Sequence, residues 1–119
     1  MATIFLNCKE KYDFLITLHN FTGSKIKNLS ISFDNNKFFD VPILDNDKKY
    51  SMEINLDGMI GEDAMFLNYT DNKGNKQRIS IVGYFEKYEK KLGVNATINF
   101  KSIDNNGVLE ITTYNDLYD

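Results

Sequence analysis

The chain has 119 residues, of which 42% are hydrophobic and 26% are charged, and its formal net charge at pH 7 is −3. This length and composition predict one soluble domain over residues 1–119. Because the chain lacks the excess of basic residues that nucleic-acid binding requires, we expect no nucleic-acid partner. One His, one Cys and no Trp leave few of the side chains that most often carry nucleophilic, metal or acid–base chemistry.

The N-terminal segment Met1–Glu10 contains a short apolar stretch, Ile4–Leu6, that polar residues then interrupt. This stretch is too short for the hydrophobic part of a signal peptide or for a membrane span. The lone Cys8 cannot form an intramolecular disulfide, and small secreted domains commonly depend on disulfides. We therefore expect a cytoplasmic protein. Fifteen Asn residues, and thirteen Lys against one Arg, indicate AT-rich codons and hence a low-GC bacterium or phage.

Apolar residues alternate with mostly polar ones along most of the chain, a pattern that predicts half-buried β-strands. In chain order, the alternating runs are Tyr12–Leu18, Leu29–Phe33, Tyr50–Leu56, Met65–Tyr69, Ile79–Ile81, Val94–Phe100 and Leu109–Ile111. Thr3–Cys8 and Phe38–Leu44 bring the expected number to about eight or nine short strands. The Pro42 nitrogen cannot donate a ladder hydrogen bond, so we expect the strand that contains it to lie at a sheet edge.

Turn-forming clusters between these runs predict antiparallel hairpins. Two are specific: Leu67–Thr70 with Gln77–Val82, where Gly74 supplies a positive φ, and Thr97–Ile103 with Val108–Thr113. No long helical segment is available for parallel crossovers, so the sequence predicts an antiparallel β-sandwich. Strand count and turn spacing resemble an immunoglobulin-like or jelly-roll-like sandwich, but the Cys…Trp…Cys signature of immunoglobulin domains is absent. A resemblance at this level implies nothing about activity.

The apolar phase of the predicted strands also identifies the expected core. These positions are Phe14, Ile16, Leu29, Ile31, Phe33, Ile54, Leu56, Leu67, Tyr69, Ile81, Ile98 and Ile111.

The segment 84–92 is ambiguous. Phe85, Tyr88 and Leu92 have helical spacing, Glu86 can pair with Lys90, and the following glycine could end a two-turn helix. The same residues could equally extend a strand into a turn.

Catalytic and metal-binding patterns receive little support. A Cys8–His19 dyad would require the two side chains to meet, whereas a hairpin between Thr3–Cys8 and Tyr12–Asn20 would place them at opposite ends. No nucleophile elbow, phosphate-binding loop or paired-cysteine motif occurs. Carboxylates in loops could hold Ca²⁺, but each also lies where Asp favours a turn; these are Asp45, Asp47, Asp57, Glu62, Asp63 and Asp71. We expect no enzyme, no cofactor and no metal.

The predicted partner-binding surface consists of the segment Tyr84–Leu92 and the acidic tail Tyr114–Asp119, because each concentrates aromatic and charged side chains outside the clearest strands. The predicted contact residues are Tyr84, Phe85, Lys87, Tyr88, Tyr114, Asp116 and Tyr118. We expect a non-catalytic protein-binding domain, such as a stoichiometric inhibitor or an immunity-type protein. The alternative is a carbohydrate-binding or surface/virion module, which would need exposed aromatic side chains on a sheet face.

Overall fold

Two four-stranded sheets make up the computed structural model, which describes residues 11–117. The strands are β1 (Phe14–Asn20), β2 (Leu29–Phe33), β3 (Phe38–Val41), β4 (Lys49–Ile54), β5 (Gly61–Thr70), β6 (Lys76–Lys87), β7 (Val94–Ile103) and β8 (Leu109–Asn115). Sheet I has the order β4-β1-β7-β8, and sheet II has the order β3-β2-β5-β6. No helix occurs between residues 11 and 117, so the all-β prediction is confirmed.

Sheet II is antiparallel throughout and contains the first predicted hairpin, β5–β6. Its turn includes Gly74 at φ 84°, as the sequence predicts. The second predicted hairpin, β7–β8, is also present, in sheet I. Strand β3 is an edge strand and ends immediately before Pro42, so the missing backbone donor falls at the end of an edge.

Sheet I is mixed, which corrects the expectation of purely antiparallel pairing. Strand β1 pairs antiparallel with β4 and parallel with β7, in a register that places Phe14 opposite Val94. Both edges of β1 are therefore occupied, one by β4 and the other by β7. Residues Thr3–Cys8 of the expected N-terminal hairpin, including Cys8 of the considered dyad, lie outside the described residues.

The core lies between the two sheets. Phe14 from sheet I contacts Phe33 and Phe85 from sheet II, with ring centroids 6.1 and 5.1 Å apart. All the core residues predicted from the sequence are buried except Ile111, which is partly buried. Ile111 lies on β8, an edge strand of sheet I.

The tips of the two hairpins contact each other at one end of the sandwich. The backbone amide of Asn72, in the β5–β6 turn, donates to the carbonyl of Asn106 in the β7–β8 turn over 2.8 Å. Gly107 adopts φ 79°, and a Cβ there would lie 2.9 Å from the Asn72 backbone nitrogen. Glycine is thus required at this position both for its backbone conformation and for the close approach of the two turns.

Candidate protein-binding surface

The segment 84–92 continues strand β6 and then turns, so the second of the two sequence interpretations is correct and no helix forms there. Side chains alternate along the end of the strand. Tyr84 and Tyr88 are exposed by 44% and 62%, whereas Phe85 and Lys87 are buried. One stretch of chain therefore supplies both core and surface.

Phe85 belongs to the core. Only 1% of its surface is exposed. Its ring makes edge contacts with Phe14 and Phe33, at centroid distances of 5.1 and 6.1 Å. The prediction that Phe85 contacts a partner is therefore corrected: its inward phase on β6 makes it a packing residue.

Lys87 is buried as well, which is unusual for a lysine. Its Nζ lies 3.1 Å from Oδ1 of Asp13 and donates to the carbonyls of Tyr88 and Lys90 at 3.3 and 3.2 Å. Three acceptors thus surround the ammonium group, which compensates for lost hydration. The prediction of Lys87 as a contact residue is also corrected.

Asp13, the partner of Lys87, is fully buried and stands directly before β1. Its Oδ2 accepts from the Leu56 amide over 2.7 Å, and its Oδ1 accepts from the Leu92 amide over 3.0 Å. This carboxylate therefore joins the start of sheet I to the loops after β4 and β6. The buried network fixes the backbone from which Tyr84 and Tyr88 project.

On the outside of β6, two tyrosine side chains converge on the carboxylate of Glu86. Tyr88 donates to its Oε2 over 2.6 Å, and Tyr84 hydrogen-bonds to its Oε1. The Tyr84 hydroxyl also lies 3.0 Å from Oε1 of Glu62. We call Ile60, Glu62, Tyr84, Glu86 and Tyr88 the tyrosine–glutamate surface.

These hydrogen bonds change the acid–base behaviour of the surface. The bonds from Tyr84 and then Tyr88 lower the pKa of Glu86. In return, the Glu86 carboxylate raises the pKa of both tyrosines, and Glu62 adds to the effect on Tyr84. Glu86 is thus held as an anion and both tyrosines as neutral donors over a wide pH range.

An irregularity in the β5–β6 ladder creates this arrangement. Phe66 lies opposite Ser80, but beyond the bulges Asp63 lies opposite Phe85 and Glu62 opposite Glu86. A ladder without bulges would have placed Tyr84 opposite Glu62. The bulges instead bring two carboxylates face to face, a pairing that is unfavourable unless other groups bridge it.

An apolar hollow of about 550 Å³ adjoins the tyrosine–glutamate surface. It is lined by Ile60, Glu86, Tyr88, Glu89, Lys90 and Leu92. Ile60 is exposed by 67%, the largest exposed fraction among the large hydrophobic side chains of the described region. Sequence reasoning missed Ile60 and did not connect Glu62 with this surface. If the predicted β5–β6 hairpin had been extended to Gly61, it would have placed Ile60 and Glu62 near the end of β6.

An ion pair joins two loops that contribute to the lining of the hollow. Lys91 Nζ donates to Oδ1 of Asp57 over 2.6 Å and to Oδ1 of Asn55 over 2.9 Å. The hydrogen bond from Lys91 lowers the pKa of the Asp57 carboxyl. This contact ties the loop after β4 to the loop after β6, and these are the loops that carry Ile60 and Leu92.

Two of the predicted contact residues in the C-terminal tail, Tyr114 and Asp116, lie at sheet I. Tyr114 is exposed by 58% and lies on sheet I, opposite Thr97. The carboxylate of Asp116 accepts from the backbone and the side chain of Asn95, at 2.7 and 3.0 Å, so it fastens the tail to β7. Tyr118 lies outside the described residues.

The acids considered as calcium ligands have structural roles where the structure shows their contacts, and two of them, Glu62 and Asp63, lie on β5 and not in a loop. Oδ1 of Asp71 accepts from the amides of Lys73 and Asn75, both at 2.9 Å, and these bonds help to lower the pKa of Asp71. Oδ1 of Asp63 accepts from the Asp34 amide over 2.7 Å. Between residues 11 and 117, His, Cys, Asp and Glu side chains form no group of three or more that could hold a metal ion.

No family model matches the chain, and no curated protein matches it. A solved structure that is similar to it is the NMR structure of a protein from Eubacterium rectale, with a TM-score of 0.50. The two chains are 19% identical, and the match covers 88% of this chain and 91% of the other. At this identity the similarity supports the fold alone. Over the described residues, no helix has the length and apolar character needed to cross a membrane.

Proposed function

We propose that this chain is a non-catalytic protein-binding domain and that it binds a basic partner through the tyrosine–glutamate surface. The observation that supports this most is the exposure of Tyr88 and Ile60 at an apolar hollow, with the exposed Tyr84 bonded to Glu86 of its lining, in a framework held by buried contacts. Exposed aromatic and aliphatic groups around a concavity are typical anchors of protein interfaces.

The tyrosine side chains are partly ordered before any partner arrives. Both hydroxyls are hydrogen-bonded to Glu86, and the β6 backbone beneath them is fixed by the Lys87–Asp13 pair. Binding therefore costs less conformational entropy than it would for freely rotating side chains. Each ring also offers a large apolar area with few rotatable bonds.

Charge points to the kind of partner. Glu62, Glu86 and Glu89 lie at or beside the hollow, and Lys90 opposes them only in part. A cationic surface would meet these carboxylates favourably, and the whole chain carries a net charge of −3. Such complementarity increases the association rate and makes it depend on salt concentration.

An acidic domain with these features fits a stoichiometric inhibitor or an immunity-type protein that covers a basic or aromatic groove of its partner. In this proposal the domain acts in the cytoplasm of a low-GC bacterium or of a cell infected by its phage. Tight binding by a small domain requires only a few central anchors, which Tyr84 and Tyr88 would provide.

The test uses a double variant, Tyr84→Ala with Tyr88→Ala, and a matched control, Phe21→Ala with Tyr50→Ala. The control removes two aromatic side chains that are exposed by 47% and 37% and lie on or beside sheet I. Partners are captured from a low-GC bacterial lysate with the wild-type chain, and the affinity of the purified partner is then measured for each variant.

We expect the tyrosine variant to lose more than tenfold in affinity, as interface anchors do, with only a small fall in the urea midpoint from the lost hydrogen bonds to Glu86. The control should bind like the wild type. A tyrosine variant that binds normally would contradict the proposal. A separate Tyr114→Ala variant tests whether the tail contributes, because Tyr114 lies on the other sheet.

A further inference from the structure

The outward face of sheet II carries two rows of side chains that cross all four strands. The register aligns Asp40, Ser30, Asn68 and Arg78 in one row and Phe38, Ser32, Phe66 and Ser80 in the next. Small serines occupy β2, between Phe38 on the edge strand β3 and Phe66 on β5. The face therefore forms a trough with a polar floor, which we call the sheet II trough.

One wall of the trough is Arg78, the only arginine in the chain. Its guanidinium carbon lies 3.5 Å from the centre of the Phe66 ring, and its Nη2 lies 3.1 Å from Oδ1 of Asp34. Stacking and the ion pair together hold the guanidinium plane in a defined position. A planar group fixed in this way offers its remaining N–H donors to a ligand.

The opposite wall is Phe38 on the edge strand β3, which is exposed by 66%. On the floor, the Nδ2 of Asn68 donates to the Ser32 hydroxyl over 2.8 Å, which sets the orientation of the amide. The trough thus combines an exposed aromatic ring with polar side chains whose positions are fixed.

The dimensions suit a small ring. Two adjoining hollows of about 360 and 400 Å³ share Phe38, Asn68 and Arg78 in their lining. Small-molecule sites commonly occupy about 300–1,000 Å³ and combine an apolar surface with a few placed polar groups. Gln77 and Ser30 extend the polar lining of the first hollow.

Charge restricts the ligand further. Lys76 and Arg78 lie on β6, Asp40 lies on β3, and Asp34 in the β2–β3 turn pairs with Arg78, so the formal charges around the trough cancel. A neutral ligand rich in hydroxyl groups can use acids as acceptors and the guanidinium as a donor, since each hydroxyl both donates and accepts. An ionic ligand of either sign would meet a like charge at the trough.

We propose that the sheet II trough binds a neutral glycan, with one sugar ring stacked on Phe38 and its hydroxyls bonded to Asn68 and Arg78. This site is independent of the protein-binding surface. Tyr84 lies six residues beyond Arg78 along β6, which corresponds to roughly 20 Å of extended strand.

The experiment is affinity electrophoresis in native gels that contain soluble starch, mixed-linkage β-glucan, xylan or galactomannan, followed by titration calorimetry with oligosaccharides of the retarding polymer. The test variants are Phe38→Ala and Arg78→Lys. The second variant removes the guanidinium that stacks on Phe66 but keeps the positive charge. The control is the Tyr84→Ala, Tyr88→Ala double variant, and a urea midpoint confirms that each variant is folded.

We expect at least one polysaccharide to retard the wild-type chain and the control equally. Phe38→Ala should reduce the association constant at least tenfold, and Arg78→Lys should reduce it severalfold. The proposal would be overturned if none of the four polymers retarded the wild-type chain. It would also be overturned if Phe38→Ala were retarded as strongly as the wild type. Loss of retardation in the tyrosine variant alone would move the glycan site to the tyrosine–glutamate surface and also overturn it.

Discussion

Between residues 84 and 88, at the end of β6, the inward and outward side chains differ in burial and in the partners they contact. On the inward face, Phe85 and Lys87 are almost completely buried and make contacts that reach sheet I. On the outward face, Tyr84, Glu86 and Tyr88 bond mainly to one another and to Glu62. The inward side chains join separate elements, whereas the outward ones order a surface.

The difference shows how a rigid surface can be built at the end of an edge strand, where strands usually fray. The buried Lys87–Asp13 pair has hydrogen-bond partners from several loops, and no buried side-chain polar atom in the described region is left without a partner. A satisfied network of this kind specifies one arrangement of the chain. The outward side chains can then vary with function at little cost in stability.

The largest expected effect comes from breaking the inward face. Lys87→Ala should destabilise the fold by about 3–5 kcal/mol, because Asp13 would keep a buried charge without its cation. Lys87→Met, which fills similar volume, should recover only part of this loss. The measurement is urea unfolding, with Lys90→Ala from the same loop as a control that should leave the midpoint unchanged. A Lys87→Met variant as stable as the wild type would show that the pair does not hold this end of β6.

An intermediate effect is expected from the titration of the outward face. The Glu86 carboxylate raises the pKa of Tyr84 and of Tyr88 above an ordinary value of about 10. Both tyrosines have a higher pKa in the folded state than in the unfolded state. The stability that their hydrogen bonds contribute is therefore fully present below a pH of about 10 and is lost as the pH rises through the folded-state pKa. Ultraviolet absorbance should show late ionisation of part of the seven tyrosines.

Replacing Glu86 tests the cause of that late ionisation. In Glu86→Gln, Tyr88 should ionise close to the ordinary range, while Tyr84 should keep part of its shift through Glu62. The Glu86 pKa is lowered, so its own contribution is present above the ordinary glutamate range and is lost as the pH falls through the folded-state pKa. Identical alkaline titrations of variant and wild type would refute the role of Glu86.

The smallest expected effect concerns the facing carboxylates. Glu62→Gln removes the like charge opposite Glu86 but keeps an oxygen that can accept from Tyr84. We expect the urea midpoint of this variant to be slightly higher than that of the wild type. Added salt should reduce the difference, because it screens the same repulsion in the wild type. A clear fall in the midpoint would mean that the Glu62 charge itself stabilises the surface.

The alternation of apolar residues was sufficient to predict the fold class, the two hairpins and nearly the whole core, since these depend on local pattern and turn chemistry. Gly74 and Pro42 have the roles that their backbone properties predict. The parallel pairing of β1 with β7 was not predictable in the same way. It joins segments far apart in the chain and leaves no signal within either strand.

The candidate site was predicted only in part. Tyr84 and Tyr88 are exposed as expected, but the inward phase of Lys87 conflicts with any pattern that treats lysine as a surface residue. Its burial depends on Asp13, more than seventy positions away, which no local pattern reveals. The helical spacing of Phe85, Tyr88 and Leu92 was misleading for the same reason. The spacing of apolar residues gave no sign that the charged Lys87 between them is buried.

The parallel ladder between β1 and β7 also bears on how the chain folds as it is synthesised. Phe14 pairs with Val94, so β1 lacks one neighbouring strand until some eighty further residues have been translated. At about 5–20 residues per second this takes roughly 4–16 s. During that interval the nascent chain can form the β2–β3 pair and the β5–β6 hairpin of sheet II, but one edge of β1 stays open to other strands. A ribosome that pauses before β7 would prolong the period in which this molecule is most exposed to aggregation.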